Sequence, residues 1–333
     1  MLLAALLCWS SHVKAAPARE ILSTRDCFAE FQSYGEWMGH LWKKYSILDY
    51  LLARWHFSES DFTRYRRELD CRSITYRSDQ YVVRAWLVQP KNGRKSSKLP
   101  VIIYNRGGNR QFGTLNFGDL FTYVFPFAEQ GYLVVASQYR GADLRQDAKS
   151  SPDQFGGGDV RDVTNLVRIA SGLPRADPHN IFMIGQSRGA IMTFLALRDT
   201  PLPIRAVAIY SGLYDMHDLL RFRPAGEQLF EALIPDYHKH KKAELDRRSV
   251  TLWAERLPAQ TGVLILHGGD DERAPLASAR KLAGELGKIG RPHKIVVYSG
   301  ESHYLGGVRP QVRAQTLQWF KKFQWRASRE TVD

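Results

Sequence analysis

Ser187 is the residue whose surroundings point most directly to chemistry. It is the centre of Gly185-Gln186-Ser187-Arg188-Gly189, which follows an apolar run at 180–184 and precedes a helical pattern that begins near Ala190. A strand, a sharp turn carrying a serine and a helix form a nucleophile elbow, and glycines two residues either side of the serine remove bulk from the strained turn. The pattern therefore predicts a catalytic nucleophile rather than a serine that caps a helix.

A catalytic serine needs a base to take its proton and a carboxylate to orient that base. An apolar strand pattern at 263–266 leads into an acidic turn, in which Asp271 is the predicted acid and Asp270 is the alternative. A later strand pattern at 294–298 leads into the loop that carries His303, the predicted general base. The other interpretations are a turn role for the aspartate and a simple surface position for the histidine.

The order of these three residues along the chain is informative. Ser187, Asp271 and His303 follow the order Ser, Asp, His, which is that of α/β-hydrolases and differs from the orders in chymotrypsin and subtilisin. His267, at the end of a strand pattern, is predicted to be structural.

An oxyanion hole is the next requirement of acyl transfer, and its N–H donors come from the residue after the serine and from the loop after the third strand. Here these positions are Arg188 and the loop 105–109, which reads Asn-Arg-Gly-Gly-Asn. The glycine pair lets the backbone approach a ligand closely. We therefore predict an oxyanion hole formed by Arg188, Arg106 and Gly107, with an ordinary β-turn as the alternative for the loop.

Strand and helix patterns along the chain predict the framework for these residues. Eight strand candidates occur at 73–79, 81–88, 100–105, 131–138, 180–185, 204–211, 262–267 and 293–298. Helical patterns lie between most of the later ones, at 116–129, 158–172, 189–199, 275–289 and 309–326. This alternation predicts an α/β-hydrolase fold, with a mostly parallel eight-stranded sheet flanked by helices, over residues 71–328.

Two segments lie outside that framework. The connection at 213–261 is longer than a crossover needs, and its short helical patterns predict a lid that roofs the serine. Residues 16–70 are predicted to form an aromatic, helical segment packed on the core. This N-terminal segment either covers the active site or packs on the sheet edge.

The chain resembles the catalytic domain of the prolyl oligopeptidase family of serine peptidases, including acylaminoacyl-peptidase-like and dipeptidyl-peptidase-like members. The likeness covers residues 73 to 325 and rests on six segments: Tyr104-Asn105-Arg106-Gly107-Gly108, Tyr139-Arg140-Gly141, Gly156-Gly157-Gly158-Asp159-Val160-Arg161-Asp162, Gly185-Gln186-Ser187-Arg188-Gly189, His267-Gly268-Gly269-Asp270-Asp271-Glu272-Arg273 and Gly300-Glu301-Ser302-His303. By this resemblance Asp271 is the triad acid, because it stands two residues before an arginine.

Substrate-binding residues follow from the same resemblance. Arg273 resembles an arginine that binds a substrate carbonyl or carboxylate, and Arg140 and Tyr139 are further candidates, with an ion-pair role as the alternative for Arg140. Arg106 stands where relatives often have tyrosine or histidine, so its cation is predicted either to face an oxyanion or carboxylate or to form a structural ion pair. Relatives also carry a β-propeller, and the roughly 70 residues before the first sheet strand are too few for one.

The N-terminal residues and the cysteines carry information about localisation. Residues 1–15 resemble a signal peptide with a weak positive region, which predicts a periplasmic or secreted protein. Removal of this leader leaves Cys27 and Cys71, an even number in an oxidising compartment. We predict a disulfide between them, with two buried thiols as the alternative.

Composition excludes other classes of function. The net charge is +13, but the basic residues are scattered and no nucleic-acid motif occurs, so nucleic-acid binding is not predicted. The ten histidines show no metal-binding spacing, and no stretch is long enough to span a membrane. The prediction is a serine peptidase without cofactor or metal that cleaves short peptides. A carboxylesterase on small esters is the alternative, and a non-catalytic binding protein is less favoured.

Overall fold

A computed structural model describes residues 20–92, 98–142 and 152–326. The predicted signal peptide at 1–15 lies outside the described residues. Within them, no helix is both long enough and apolar enough to cross a membrane.

One nine-stranded sheet runs through the molecule in the order β1-β2-β3-β5-β4-β6-β7-β8-β9. The first three strands and β5 pair antiparallel, and the six strands from β5 to β9 in this order are parallel. The strands are β1 (Ile21–Asp26), β2 (Leu69–Ser78), β3 (Tyr81–Pro90), β4 (Leu99–Asn105), β5 (Leu133–Ser137), β6 (Ala176–Gln186), β7 (Ile204–Tyr210), β8 (Gly262–Gly268) and β9 (His293–Tyr298). The predicted mostly parallel sheet is confirmed.

The strand count differs from the predicted eight because β1 adds to the edge. Its sequence, Ile-Leu-Ser-Thr-Arg-Asp, shows no sustained apolar alternation, and five of its six residues are exposed. Pairing with β2 therefore holds this strand, and the N-terminal segment that was predicted to be helical is partly β-strand.

Helices cover both faces of the sheet, as parallel strands require. They are α1 (Tyr34–Lys44), α2 (Ile47–His56), α3 (Glu59–Glu68), α4 (Phe117–Tyr123), α5 (Phe125–Glu129), α6 (Val160–Ser171), α7 (Arg188–Asp199), α8 (Met216–Phe222), α9 (Glu227–Leu233), α10 (Tyr237–Arg248), α11 (Leu276–Lys288) and α12 (Arg309–Phe323). One apolar cluster joins α6, α7, α9 and α11 to the sheet, and a second joins the N-terminal segment, α4, α5 and α12 to the opposite face.

The N-terminal segment packs on the core through aromatic side chains. The Trp37 ring lies 4.7 Å from that of Phe121 and 5.0 Å from that of Phe117, and Phe28 stacks on Phe125 at 5.6 Å. The segment therefore packs against α4 and α5 on one face of the sheet.

A disulfide fixes this segment to the sheet. Cys27 and Cys71, on β2, are bonded with their Cα atoms 5.4 Å apart, and the bond closes a loop with a sequence separation of 44. Both cysteines are buried.

Replacing Cys27 and Cys71 together with alanine is expected to lower the free energy of unfolding by about 2–4 kcal/mol, because the cross-link restricts the unfolded chain. Urea unfolding measures the difference. Adding reductant should lower the free energy of unfolding of the native protein to that of the variant. It should leave the free energy of unfolding of the variant unchanged. Equal stabilities of the two proteins under oxidising conditions would show that the bond contributes nothing.

The insertion between β7 and β8, which was predicted to be a lid, packs on the helices that cover the sheet and contacts the backbone of Arg273. The side chains of Phe230, Leu233 and Tyr237 are buried in the apolar cluster that includes α6 and α7. The Phe230 ring lies 5.4 Å from that of Phe155. None of its residues is among those that line the cavity at Ser187. Burial of these apolar side chains holds the insertion against the sheet-covering helices, and its role as a lid stays a prediction.

Candidate active site

Ser187 lies between β6 and α7 in a strained turn, with φ 53° and ψ −118°. The two flanking glycines are required by close packing of the backbone. A Cβ on Gly185 would lie 2.7 Å from the Gly189 carbonyl oxygen, and a Cβ on Gly189 would lie 1.9 Å from the Asn105 oxygen. The turn therefore depends on glycine at both positions, as a nucleophile elbow does.

Asp271 and His303 form a buried pair at the carboxyl ends of β8 and β9. His303 Nδ1 lies 3.0 Å from Oδ1 and 2.9 Å from Oδ2 of Asp271. The same carboxylate accepts hydrogen bonds from the backbone amides of Arg273 and Ala274, each at 2.8 Å. Asp270, the alternative acid, is exposed, so the carboxylate that contacts the imidazole is that of Asp271.

The surroundings of Asp271 keep its carboxylate charged. Burial opposes ionisation, but the hydrogen bond and charge of His303 and the two backbone amides outweigh it and lower the pKa of Asp271. An ionised carboxylate beside Nδ1 favours the tautomer of His303 that carries its proton on Nδ1, which is the arrangement of a catalytic triad.

His267 supports this pair from the interior. Its side chain is fully buried, its Nε2 donates to the Ala274 carbonyl at 3.1 Å, and it lies 3.3 Å from Asp271 Oδ2. Burial lowers the pKa of His267 and keeps the ring neutral. These contacts give it the structural role predicted from the sequence.

Ser187 and His303 line the same cavity, which has a volume of about 130 Å³. Within the described ranges, neither the Ser187 hydroxyl nor His303 Nε2 has a hydrogen-bond partner. Catalytic hydrogen bonds are often long in ligand-free enzymes and shorten when substrate binds. The arrangement therefore leaves both reactive atoms available to a substrate.

The backbones of Arg188 and Gly107, two of the predicted oxyanion-hole residues, lie beside Ser187. Arg188 is the first residue of α7, so its N–H has no acceptor within the helix. Gly107 packs on the serine, because a Cβ at this position would lie 3.1 Å from Ser187 Cβ. A helix N-terminus and a glycine loop that approaches the serine are the elements from which an oxyanion hole is predicted here.

The Arg188 side chain has a structural role that the sequence did not reveal. Its guanidinium is buried and contacts the carboxylates of Asp153 and Asp159, with Nη1 2.7 Å from Asp153 Oδ2. Nη1 also donates to the Gly108 carbonyl at 3.0 Å. Burial opposes the charge, but the two carboxylates outweigh it and raise the pKa of Arg188. This side chain therefore links the loop at 105–109 to the segment before α6 that carries Asp153 and Asp159.

The Arg106 side chain also has a structural role. The prediction that its cation faces an oxyanion or carboxylate is therefore corrected. Nε and Nη2 donate to the Gln138 carbonyl at 3.0 and 2.6 Å, and further donors reach the carbonyls of Gly107, Arg110 and Phe112. Burial and the nearby Arg188 lower the pKa of Arg106 to about 10. The guanidinium is 1% exposed and holds the loop after β4 in place by hydrogen bonds to its carbonyls.

Two predicted substrate-binding residues are also corrected to structural roles. Arg140 pairs with the fully buried Asp162, with Nη2 2.6 Å from Oδ1. Tyr139 is 2% exposed and donates its hydroxyl to the Arg106 carbonyl at 3.2 Å. The charge or hydroxyl of each is already used inside the protein, and neither residue lines the cavity at Ser187.

Arg273 remains exposed at the cavity that contains Ser187. Its guanidinium lies 5.3 Å from the centre of the Tyr304 ring, and no carboxylate among the described residues pairs with it. Phe112, Tyr123 and Tyr304 also line the cavity and were missed in the sequence, where an aromatic side chain in a loop or helix carries no signal of its position.

Replacing Arg188 with methionine is expected to lower the free energy of unfolding by about 3–5 kcal/mol, because two buried carboxylates lose their cation. Chemical denaturation of the variant measures this loss. The control is Arg161→Met, which removes an Arg–Asp pair whose arginine side chain is 65% exposed, and should change stability by at most about 1 kcal/mol. Similar losses in the two variants would contradict the assigned role.

No group of side chains able to hold a metal ion occurs in the part of the chain that the structure describes.

Residues 119–325 match the model of the prolyl oligopeptidase family. This match covers more than half of the chain, which belongs to that family and is a serine hydrolase. The uncharacterized peptidase YtmA of Bacillus subtilis is 25% identical over 250 residues, or 75% of this chain and 92% of the relative.

Two further similarities widen the range of relatives. The probable isoprenylcysteine alpha-carbonyl methylesterase ICME of Oryza sativa subsp. japonica is 27% identical over 257 residues, covering 70% of this chain and 57% of the relative. The structure of Pyrococcus horikoshii acylaminoacyl peptidase aligns with a TM-score of 0.66 at 20% identity, covering 83% of this chain and 45% of that one. This likeness confirms the predicted α/β-hydrolase fold.

Proposed function

We propose that the protein hydrolyses short peptides through an acyl-enzyme formed on Ser187. The observation that carries the proposal is the buried contact of His303 Nδ1 with Asp271 beside the cavity that also contains Ser187. Membership of a peptidase family and similarity to a relative named as a peptidase favour amide over ester substrates.

Acylation starts with the Ser187 hydroxyl. Its oxygen attacks the substrate carbonyl while His303 Nε2 takes the proton, and the Asp271 carboxylate stabilises the imidazolium through Nδ1–H. The negative charge that develops on the carbonyl oxygen is received by the amides of Gly107 and Arg188. His303 then gives the proton to the leaving amine, and the acyl group stays on Ser187.

Deacylation repeats the same steps with water. His303 takes a proton from water, the resulting nucleophile attacks the acyl carbon, and the proton returns to the Ser187 oxygen as the carboxylic acid leaves. No redox step or cofactor is required, because bond breaking and bond formation use only proton transfer and nucleophilic addition.

Arg273 is proposed to bind a peptide carboxylate or carbonyl. Replacing it with methionine is expected to raise KM about tenfold to a hundredfold for peptides with a free terminal carboxylate, since a hydrogen bond to a charged group contributes about 1.5–3 kcal/mol. Steady-state kinetics with free and amidated forms of one peptide measure the effect. Arg273→Lys should recover part of the loss, and an equal effect on both forms would contradict carboxylate binding.

A carboxylesterase is the second candidate, favoured by the similarity to a methylesterase. The test compares aminoacyl and acyl-aminoacyl amides with short p-nitrophenyl esters, using Ser187→Ala as the control. Amide turnover within about a hundredfold of ester turnover supports a peptidase. Ester turnover alone would reassign the protein to the esterases.

We also propose that the protein is exported to the periplasm or secreted. The disulfide between Cys27 and Cys71 supports this proposal, since such bonds persist in oxidising compartments. Cell fractionation, with thiol alkylation before lysis, tests it. Recovery of the protein in the cytosol with both thiols alkylated would refute it.

A further inference from the structure

The turn between α1 and α2 exposes an unusually apolar surface, here called the apolar hairpin, residues 42–55. Seven of its large apolar residues are each at least 46% exposed: Trp42, Tyr45, Ile47, Leu48, Leu51, Leu52 and Trp55. No side chain of α2 is buried. The apolar face of an amphipathic helix is normally buried against the core. An exposed apolar face of this kind therefore indicates an interaction site.

The hairpin is anchored, so its exposure does not arise from poor packing of the whole segment. The Tyr34 hydroxyl donates to the Phe57 carbonyl at 2.8 Å, and the Phe57 ring lies 4.9 Å from that of Trp37 in the core. Tyr50 packs on the core and meets the ring of Trp42 at 5.0 Å. These contacts fix one side of α2 and leave the other side facing outward.

Most of the charged side chains of the apolar hairpin are positive. It carries the cations Lys43, Lys44 and Arg54, and its one carboxylate is Asp49. The chain as a whole has a net charge of +13. Leucine and tryptophan beside lysine and arginine are the composition of helices that lie in the interface of an anionic membrane.

A second copy of this chain fits the hairpin less well. A two-fold interface would bring the cations of one hairpin against the same cations of the other, and such self-pairing is repulsive. Stable interfaces also use roughly 20–30 residues on each side, which exceeds the length of the hairpin.

His56, the residue that follows the hairpin, is linked through Arg309 to the surroundings of the active site. Arg309 Nη1 donates to Nε2 of His56, at the end of α2, at 2.8 Å. Arg309 lines a cavity of about 40 Å³ together with His303 and Tyr123, and both of these residues also line the cavity at Ser187. A surface bound by the hairpin would therefore be close to the entrance of the site.

We propose that the apolar hairpin docks on the surface of an anionic lipid bilayer, with its leucine and tryptophan side chains in the acyl boundary and Lys43, Lys44 and Arg54 at the headgroups. Binding of this kind depends on both apolar area and negative lipid charge. Each dependence can be removed separately by substitution.

Vesicle co-flotation tests the proposal with the purified full chain. Vesicles contain phosphatidylcholine alone or with one fifth phosphatidylglycerol. We expect partition to the anionic vesicles about tenfold or more above that to the neutral vesicles. Leu48→Ser combined with Leu52→Ser and Trp55→Ser should lower binding about tenfold or more, and Lys43→Gln with Lys44→Gln and Arg54→Gln should remove the lipid-charge dependence.

The matched control is Leu252→Ser with Ile289→Ser, which removes exposed apolar side chains elsewhere and should leave flotation unchanged. Circular dichroism and thermal unfolding check that each variant is folded. Absence of flotation of the native protein, or equal loss in the control, would overturn the proposal. A dimer in light scattering that the serine variants dissociate would assign the face to a second copy instead. Binding is measured without turnover, so the result is independent of the proposed peptidase activity.

Discussion

Ser187→Ala is expected to lower kcat by on the order of 10⁶ while leaving substrate affinity nearly unchanged. The substitution removes the only atom proposed to attack the carbonyl, and the fold does not depend on it, since the Ser187 hydroxyl makes no hydrogen bond within the described residues. Residual turnover would come from the oxyanion hole and from binding alone. Steady-state kinetics with the best amide or ester substrate measure the loss.

A neighbouring serine provides the matched control. Ser211 follows β7, is fully buried, has a positive φ of 43°, and its hydroxyl has no hydrogen-bond partner among the described residues. Ser211→Ala should therefore retain activity close to that of the native protein. Comparable losses in the two variants, or survival of activity in Ser187→Ala, would contradict the assignment of the nucleophile.

Asp271→Asn is expected to lower kcat by on the order of 10⁴, because an amide keeps the shape of the carboxylate but favours the wrong tautomer of the histidine. The adjacent Asp270→Asn is the control. Asp270 is exposed and its carboxylate does not contact His303, so activity should change little. A larger loss for the Asp270 variant would reverse the choice of acid.

The Asp271 carboxylate also links stability to pH. Its pKa is lowered in the folded protein, so its contribution to stability is complete above its unfolded pKa of about 3.9 and is lost as pH falls through the folded value. The contribution of the Asp271 carboxylate to the stability difference between the native protein and Asp271→Asn should therefore shrink as pH falls below about 3.9. Denaturation at a series of pH values measures it, and a difference that grows in acid would contradict this sign.

The sequence predicted those features that follow from local pattern. Strands β2 to β9 were all found from their apolar residues, and Ser187, Asp271 and His303 each follow the carboxyl end of a parallel strand, where such folds bind substrate. β1 escaped prediction because an exposed edge strand has no buried face to impose alternation.

The sequence left an ion pair open as the alternative for Arg140, which the structure shows with Asp162, but it could not give the partners of Arg106 and Arg188. Arg106 and Arg140 stand next to motif residues, yet long-range burial directs their guanidinium groups to carbonyls and to Asp162. Arg188 meets Asp153 and Asp159, which are about 30 residues away in sequence. Such pairings depend on how the sheet is covered, so only the folded chain reveals that Arg106 and Arg188 hold the loop at 105–109.

Reaction of the purified protein with a fluorophosphonate probe, followed by peptide mass spectrometry, identifies the nucleophile. An activated serine attacks phosphorus and keeps the adduct, so the prediction is one modified peptide, labelled at Ser187, and loss of labelling in His303→Ala as well as in Ser187→Ala. Labelling of another residue that accounts for the hydrolytic activity, or no labelling in a folded and active protein, would contradict the account.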